Sequence, residues 1–180
     1  MIAKPQEVLA FWRGAGPEKW FDKDDAFDNA IREKFLATYE AAAAGKLADW
    51  EAQPESALAL AIVLDQFPRN MFRGDGRTYA ADPLALAVAE RAIAGGFDHK
   101  IPEGEKQFFY LPFEHSEKLA VQERGIELFR ATGDAELLKW AELHADIIRR
   151  FGRFPHRNAM LDRATTAEEQ AFLDGGGFKG

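Results

Sequence analysis

From Ala57 to Leu64 the chain runs through eight consecutive apolar residues, so whatever this stretch forms has no polar side to turn toward water. A bilayer crossing takes about 20 such residues, and this run is far too short for one. A short segment that is apolar all round belongs inside a bundle, enclosed by other helices, and residues 55–67 are assigned to that central place. The rest of the chain has the periodicity to enclose it. Phe27, Ile31, Phe35 and Tyr39 recur at i+4 behind the acidic start Asp24-Asp25, which marks one amphipathic helix that Gly45 can close. Asp82-Pro83 reads as an N-cap followed by Pro at the first helical position, with Gly95-Gly96 as the stop. Ser116 and Asp134 are further N-caps, and Thr165/Thr166 with Glu168/Glu169 offer two overlapping capping boxes for the last helix. No alternating strand pattern lies between the turn signals. The expectation is an all-α chain of seven or eight helices whose short connections make neighbours antiparallel, as a bundle or as stacked pairs. The tail Gly175-Gly176-Gly177-Phe178 predicts a mobile end with Phe178 as an anchor.

A chain of 180 residues, 47% of them hydrophobic, is long enough for one substantial core, and no Pro/Gly/Ser-rich stretch divides it, so residues 1–180 read as a single domain. The net charge of −7 and a pI near 5.2 repel phosphate backbones and anionic lipid, which argues against nucleic-acid and membrane partners. With no Cys, disulfides, thiolate catalysis and Cys-based metal sites are excluded. The first twenty residues hold Glu7, Arg13, Glu18 and Lys19 and no apolar core of a secretory signal, so a soluble cytoplasmic protein is expected. Neither G-x-G-x-x-G nor G-x-x-x-x-G-K-[ST] occurs, and G-x-S-x-G is absent. No H-E-x-x-H or i,i+4 histidine pair exists either, so neither a cofactor nor a metal is implied.

Two stretches nearly repeat each other: Asp65-Gln66-Phe67-Pro68-Arg69-Asn70 and Gly152-Arg153-Phe154-Pro155-His156-Arg157-Asn158. Each reads as an apolar helix closed by Phe-Pro and followed by an Arg-Asn pair. Eight of the thirteen Arg lie in the windows 69–77 and 149–163, and neither window contains Lys. Exclusive Arg points to planar, bidentate pairing with carboxylates or with phosphate-like anions. Asp65, in the last turn of the apolar helix, is opposed by the helix dipole and by burial and needs a cation, for which Arg69, Arg153 and Arg157 are candidates. His144 shares a helical face with Leu137, Trp140, Ala141, Ile147, Ile148 and Phe151, so its imidazole points into the core, where it needs a hydrogen-bond partner. His115-Ser116-Glu117 cannot form a triad, because consecutive side chains diverge, although His115 and Glu117 can still line a pocket. The aromatic run Phe108-Phe109-Tyr110-Leu111-Pro112-Phe113 is core or one wall of that pocket.

With Val8-Leu9-Ala10-Phe11-Trp12, Trp20-Phe21, Leu64 to Asn70, Pro112-Phe113-Glu114-His115-Ser116-Glu117 and Arg150 to Asn158, the chain resembles, over nearly its whole length, the bacterial domain of unknown function 924 family. The resemblance implies a tetratricopeptide-like stack of helix pairs and assigns no catalytic residue. Two positions depart from the family pattern: Arg13, where an aromatic follows Phe-Trp, and Glu114, where an apolar residue precedes His-Ser-Glu. Two functional readings follow. One is a pocket in which Asp65, Arg69, Asn70, Arg73, His115, Glu117, His144, Arg153, His156, Arg157 and Asn158 hold a small anionic or carboxylate ligand. The other is a protein-interaction scaffold that receives a peptide, with the Arg/Asp/His motif as a structural network. Neither reading fixes an oligomeric state or a reaction.

Overall fold

The computed structural model describes residues 1–178. Among them there are nine α-helices, several short 3-10 turns and no strand. The chain divides into two compact units: Met1–Arg73 with Arg77–Pro112, and Gly74–Gly76 with the chain from Phe113 on. No helix of the described residues is long and apolar enough to cross a membrane.

The first unit is organised by α4 (Pro54–Met71), in which every residue from Ala57 to Pro68 is buried. Helices α1 (Pro5–Ala15), α3 (Asp25–Ala43) and α5 (Asp82–Ala94) pack on it, which is the enclosure that its all-apolar surface demands. Asp24 caps α3 by accepting from the backbone N–H groups of Ala26 and Phe27. The single turn α2 (Pro17–Trp20) folds Trp20 back so that its indole N–H donates to the Trp12 carbonyl at 2.7 Å. Trp12 in turn meets Phe67 and Phe108 edge-on, at 5.8 and 5.5 Å between ring centroids. The aromatic run at 108–113 is therefore core. It forms α6 (Gln107–Glu114), which contributes residues to both units.

In the second unit α7 (Leu119–Thr132) and α8 (Ala135–Phe151) pack as a pair, and α9 (Ala167–Asp174) follows. Consecutive helices packing as pairs is compatible with tetratricopeptide-like stacking. Asp134 caps α8 by accepting from Glu136 and Leu137, and Thr166 with Glu169 forms a capping box on α9.

Local details differ from the sequence expectations. Phe67-Pro68 does not close α4; Pro68 sits inside the helix, which continues to Met71. A proline removes its own N–H from the ladder and crowds the carbonyl four residues back, yet beyond it the Phe72 N–H still donates to the Pro68 carbonyl at 3.0 Å and the Arg69 guanidinium donates to the Asp65 carbonyl at 2.7 Å. At the second motif the stop is Gly152, at φ 68°, whose N–H donates to the Ile148 carbonyl, and Phe154-Pro155 comes afterwards. Asp82 is the first helical residue of α5 and Ala81 its cap, which leaves the Asp82 carboxylate for another partner. Ser116 caps no helix: its hydroxyl accepts from the Lys118 N–H at 3.2 Å, two residues before α7 begins.

Candidate functional site

The first motif builds its network on one turn of α4. Asp65 is almost fully buried, accepts from the Gln66 side-chain amide at 2.6 Å and has the Arg69 guanidinium at 3.3 Å. Arg69 also forks onto Asp82 of α5, with contacts of 2.9 and 3.1 Å. Burial pulls the Arg69 pKa down, and Asp82 with Asp65 more than offsets that, leaving it above the usual guanidinium range. One turn on, Asn70 donates to Asp28 of α3 at 2.7 Å, and Arg73 forks onto the same carboxylate. Thus α4 is tied to α5 through Arg69 and to α3 through Asn70 and Arg73.

The second motif repeats this logic with its own acids. Arg153 grips Glu169 of α9 with both nitrogens of its fork, and Asn158, which is wholly buried, donates to Glu169 at 3.2 Å. Glu117 accepts two bonds from Arg163, at 2.8 and 3.0 Å, and one from the Phe154 backbone N–H at 2.8 Å. Burial raises the Glu117 pKa, while Arg163, the Phe154 N–H and the charge of Arg157 together lower it by more, with a net fall below the ordinary carboxylate range. Arg157 is buried, donates to the His115 carbonyl at 3.1 Å and lies 4.4 Å from the centroid of the Phe154 ring. The three residues His115, Ser116 and Glu117 thus serve separate partners.

His144 is buried as its helical face requires, and it lies beside the second motif's aromatic core. Its Nδ1 is 2.8 Å from the Trp140 carbonyl and 3.1 Å from a carboxylate oxygen of Glu114. A carbonyl can only accept, so Nδ1 carries a proton. Glu114 is therefore a buried partner of His144. Arg13 reaches Glu105 and Glu55 in the first unit. Around His144 stand Phe154 at 5.6 Å and Phe178 at 4.5 Å, with His156 5.2 Å from Phe178.

In the first unit, then, Asp65 and Asp82 meet on Arg69 while Asn70 and Arg73 meet on Asp28, and in the second His115, Glu117, Arg153, Arg157 and Asn158 lie in the second motif's contacts, with His144 and His156 on its aromatic side. Sequence reasoning missed Asp28 altogether. It met Asp82 and Glu169 only as capping residues, and the signal it passed over was that each is an acid beside a helix start with a Lys-free Arg window to serve.

A family model described as "Bacterial protein of unknown function (DUF924)" matches residues 8–177. Among solved structures, a protein of unknown function from Agrobacterium tumefaciens is similar, with 48% identity and a TM-score of 0.92 over 95% of this chain and 97% of that one. Comparison with curated proteins gives no match.

Proposed function

Starting from the fact that the chain belongs to the bacterial family of proteins of unknown function DUF924, we propose that it is a helical interaction scaffold in which the Arg-rich motifs are structural networks. One observation carries this reading: Arg69, Arg73, Arg153 and Arg163 each fork onto a carboxylate of their own unit, namely Asp82, Asp28, Glu169 and Glu117. All four acids lie outside the two Arg windows, which hold eight Arg but only Asp75 and Asp162, and they take up four of the six positive charges left over. An anion would have to displace a tethered carboxylate that already sits at hydrogen-bond distance. A protein or peptide partner then takes precedence over a small anion, and the net charge of −7 disfavours nucleic acid as that partner. A cytoplasmic setting suits a chain without cysteine.

The competing reading, a pocket for a small anion or carboxylate, draws on the buried Arg157 beside the buried Asn158. The two are separated by following the thermal midpoint of the parent, Arg157→Ala and Arg157→Lys with sulfate, phosphate and succinate. A ligand that binds only the native state raises the midpoint. The scaffold reading predicts that both substitutions lower the midpoint without ligand and that no anion raises the parent more than Arg157→Lys. A rise specific to the parent, lost when Lys keeps the charge but not the fork, would establish the anion pocket instead.

A further inference from the structure

The chain after α9 is three glycines and then Phe178. The backbone N–H groups of Gly175, Gly176 and Gly177 turn back onto the last carbonyls of α9, those of Ala171, Leu173 and Phe172. Gly176 sits at φ 84°, a conformation that only glycine adopts at no cost. The turn brings the Phe178 ring onto α8. There it lies edge-on to His144, with centroids 4.5 Å apart, edge-on to His156 at 5.2 Å and tilted against Trp140 at 6.4 Å. Beneath it is the buried cluster Ile147, Ile148 and Phe154.

The receptor for this ring is a built surface. His144 is held by the Trp140 carbonyl and Glu114, and Phe154, the aromatic residue of the second motif, is 0% exposed. The occupant is a single side chain, carried on the hydrogen-bonded glycine turn that follows α9. Trp140 keeps 45% of its surface exposed and Leu143, on the next turn, 38%. An exposed Trp beside a seated ring is the composition of an interface anchor, since aromatic residues concentrate in the energetically dominant part of protein interfaces.

We infer that Trp140, His144 and His156 form a receiving site for a phenylalanine or tyrosine side chain borne on an extended peptide segment of a partner protein, and that Phe178 is its intramolecular occupant. The inference names the partner class of the scaffold reading above and rests on it. The ring is held by its own packing and by the hydrogen-bonded turn that carries it, so a partner displaces it only by adding contacts on Trp140 and Leu143. The tail thereby sets a threshold on partner binding.

The test uses the full chain and its four histidines. In an NMR spectrum of the imidazole C–H groups, Phe178→Leu, which keeps an apolar filler, and Phe178→Ala both remove the Phe178 share of the ring current at His144 and His156, leaving that of Phe154, and leave His99 unmoved. Titrating the blocked peptide acetyl-Gly-Gly-Gly-Phe-amide into either variant then returns the His144 and His156 signals toward their parent positions. The parent needs more peptide than Phe178→Ala, because its own ring must first be displaced, and the Gly-Gly-Gly-Ala peptide does nothing. Unchanged histidine signals in both variants would show that the ring is not seated there. A Phe peptide that moves neither signal at millimolar concentration, or moves them no better than the Ala peptide, overturns the receiving site. The anion titration of Arg157 reads the scaffold proposal separately, because no residue it changes belongs to this site.

Discussion

Arg153 and Glu169 meet fork to fork, Nε to Oε1 at 2.6 Å and Nη2 to Oε2 at 2.8 Å. The same carboxylate accepts from the Thr166 backbone N–H at 2.8 Å and so also closes the capping box of α9. One acid thereby fixes both the start of a helix and the guanidinium of the preceding Arg motif. The hydrogen bond from Arg153 leads in holding the Glu169 pKa at about 2, against an ordinary 4.5.

That depression has a pH signature. A carboxyl whose folded pKa lies below its unfolded one stabilises the fold at pH values above the unfolded pKa, and the contribution disappears as pH falls through the folded pKa. The parent should therefore lose stability relative to Glu169→Gln as pH drops from 4.5 to about 2. Urea unfolding of both proteins across that range measures it. A constant difference between them throughout would mean that the ionised carboxylate contributes nothing to folding.

Gly76 is predicted to tolerate no side chain. A Cβ built there would lie 2.6 Å from the backbone carbonyl oxygen of Met160, and a backbone atom cannot step aside as a side chain can. Gly76→Ala should cost about 1–3 kcal/mol, the range for forced overpacking, whereas Gly104→Ala, with nothing within 4 Å, serves as the neutral control. Equal midpoints for the two variants would contradict this close approach.

The reading of one domain predicts a single cooperative transition. Trp12, Trp20 and Trp50 belong to the first unit and Trp140 to the second, so fluorescence of the parent and of Trp140→Phe weights the units differently. Coincident urea midpoints by fluorescence and by far-UV circular dichroism are expected. Two separated midpoints would make the units independent domains.

What could be read from the sequence was whatever acts over a few residues. The buried run at 57–64 announced α4, and Asp24, Asp134 and Thr166 announced helix starts, because a cap and its N–H partners lie within three residues of each other. Four local signals misled: Ser116 is the right residue type two positions early, Pro68 is tolerated inside a helix that the surrounding packing holds together, Asp82 is the first residue of α5 and not its cap, and Gly152 stops α8 before Phe154-Pro155. The networks were far less legible. Asp28 serves Asn70 and Arg73 from 42 and 45 residues away, and no periodicity joins such positions. Glu114 and its partner His144 come from different helices, α6 and α8. Arg-only windows signalled forks without saying which acids would fill them.

If the motif guanidinium groups are committed to acids of the chain itself, Arg69 and Asp82 are energetically coupled, and a double-mutant cycle on the pair measures that coupling. Asp82 also stands in the first turn of α5, where a carboxylate favours the helix dipole, so its single substitution carries more than the pair interaction. The cycle cancels that part. With Arg69→Ala, Asp82→Ala and the double variant unfolded in urea, which does not screen charge, the account predicts a coupling of about 1–3 kcal/mol, the range for charged partners at hydrogen-bond distance. Additive losses, with a coupling below about 0.3 kcal/mol, would contradict it and return Arg69 to the pool of groups that can serve a ligand.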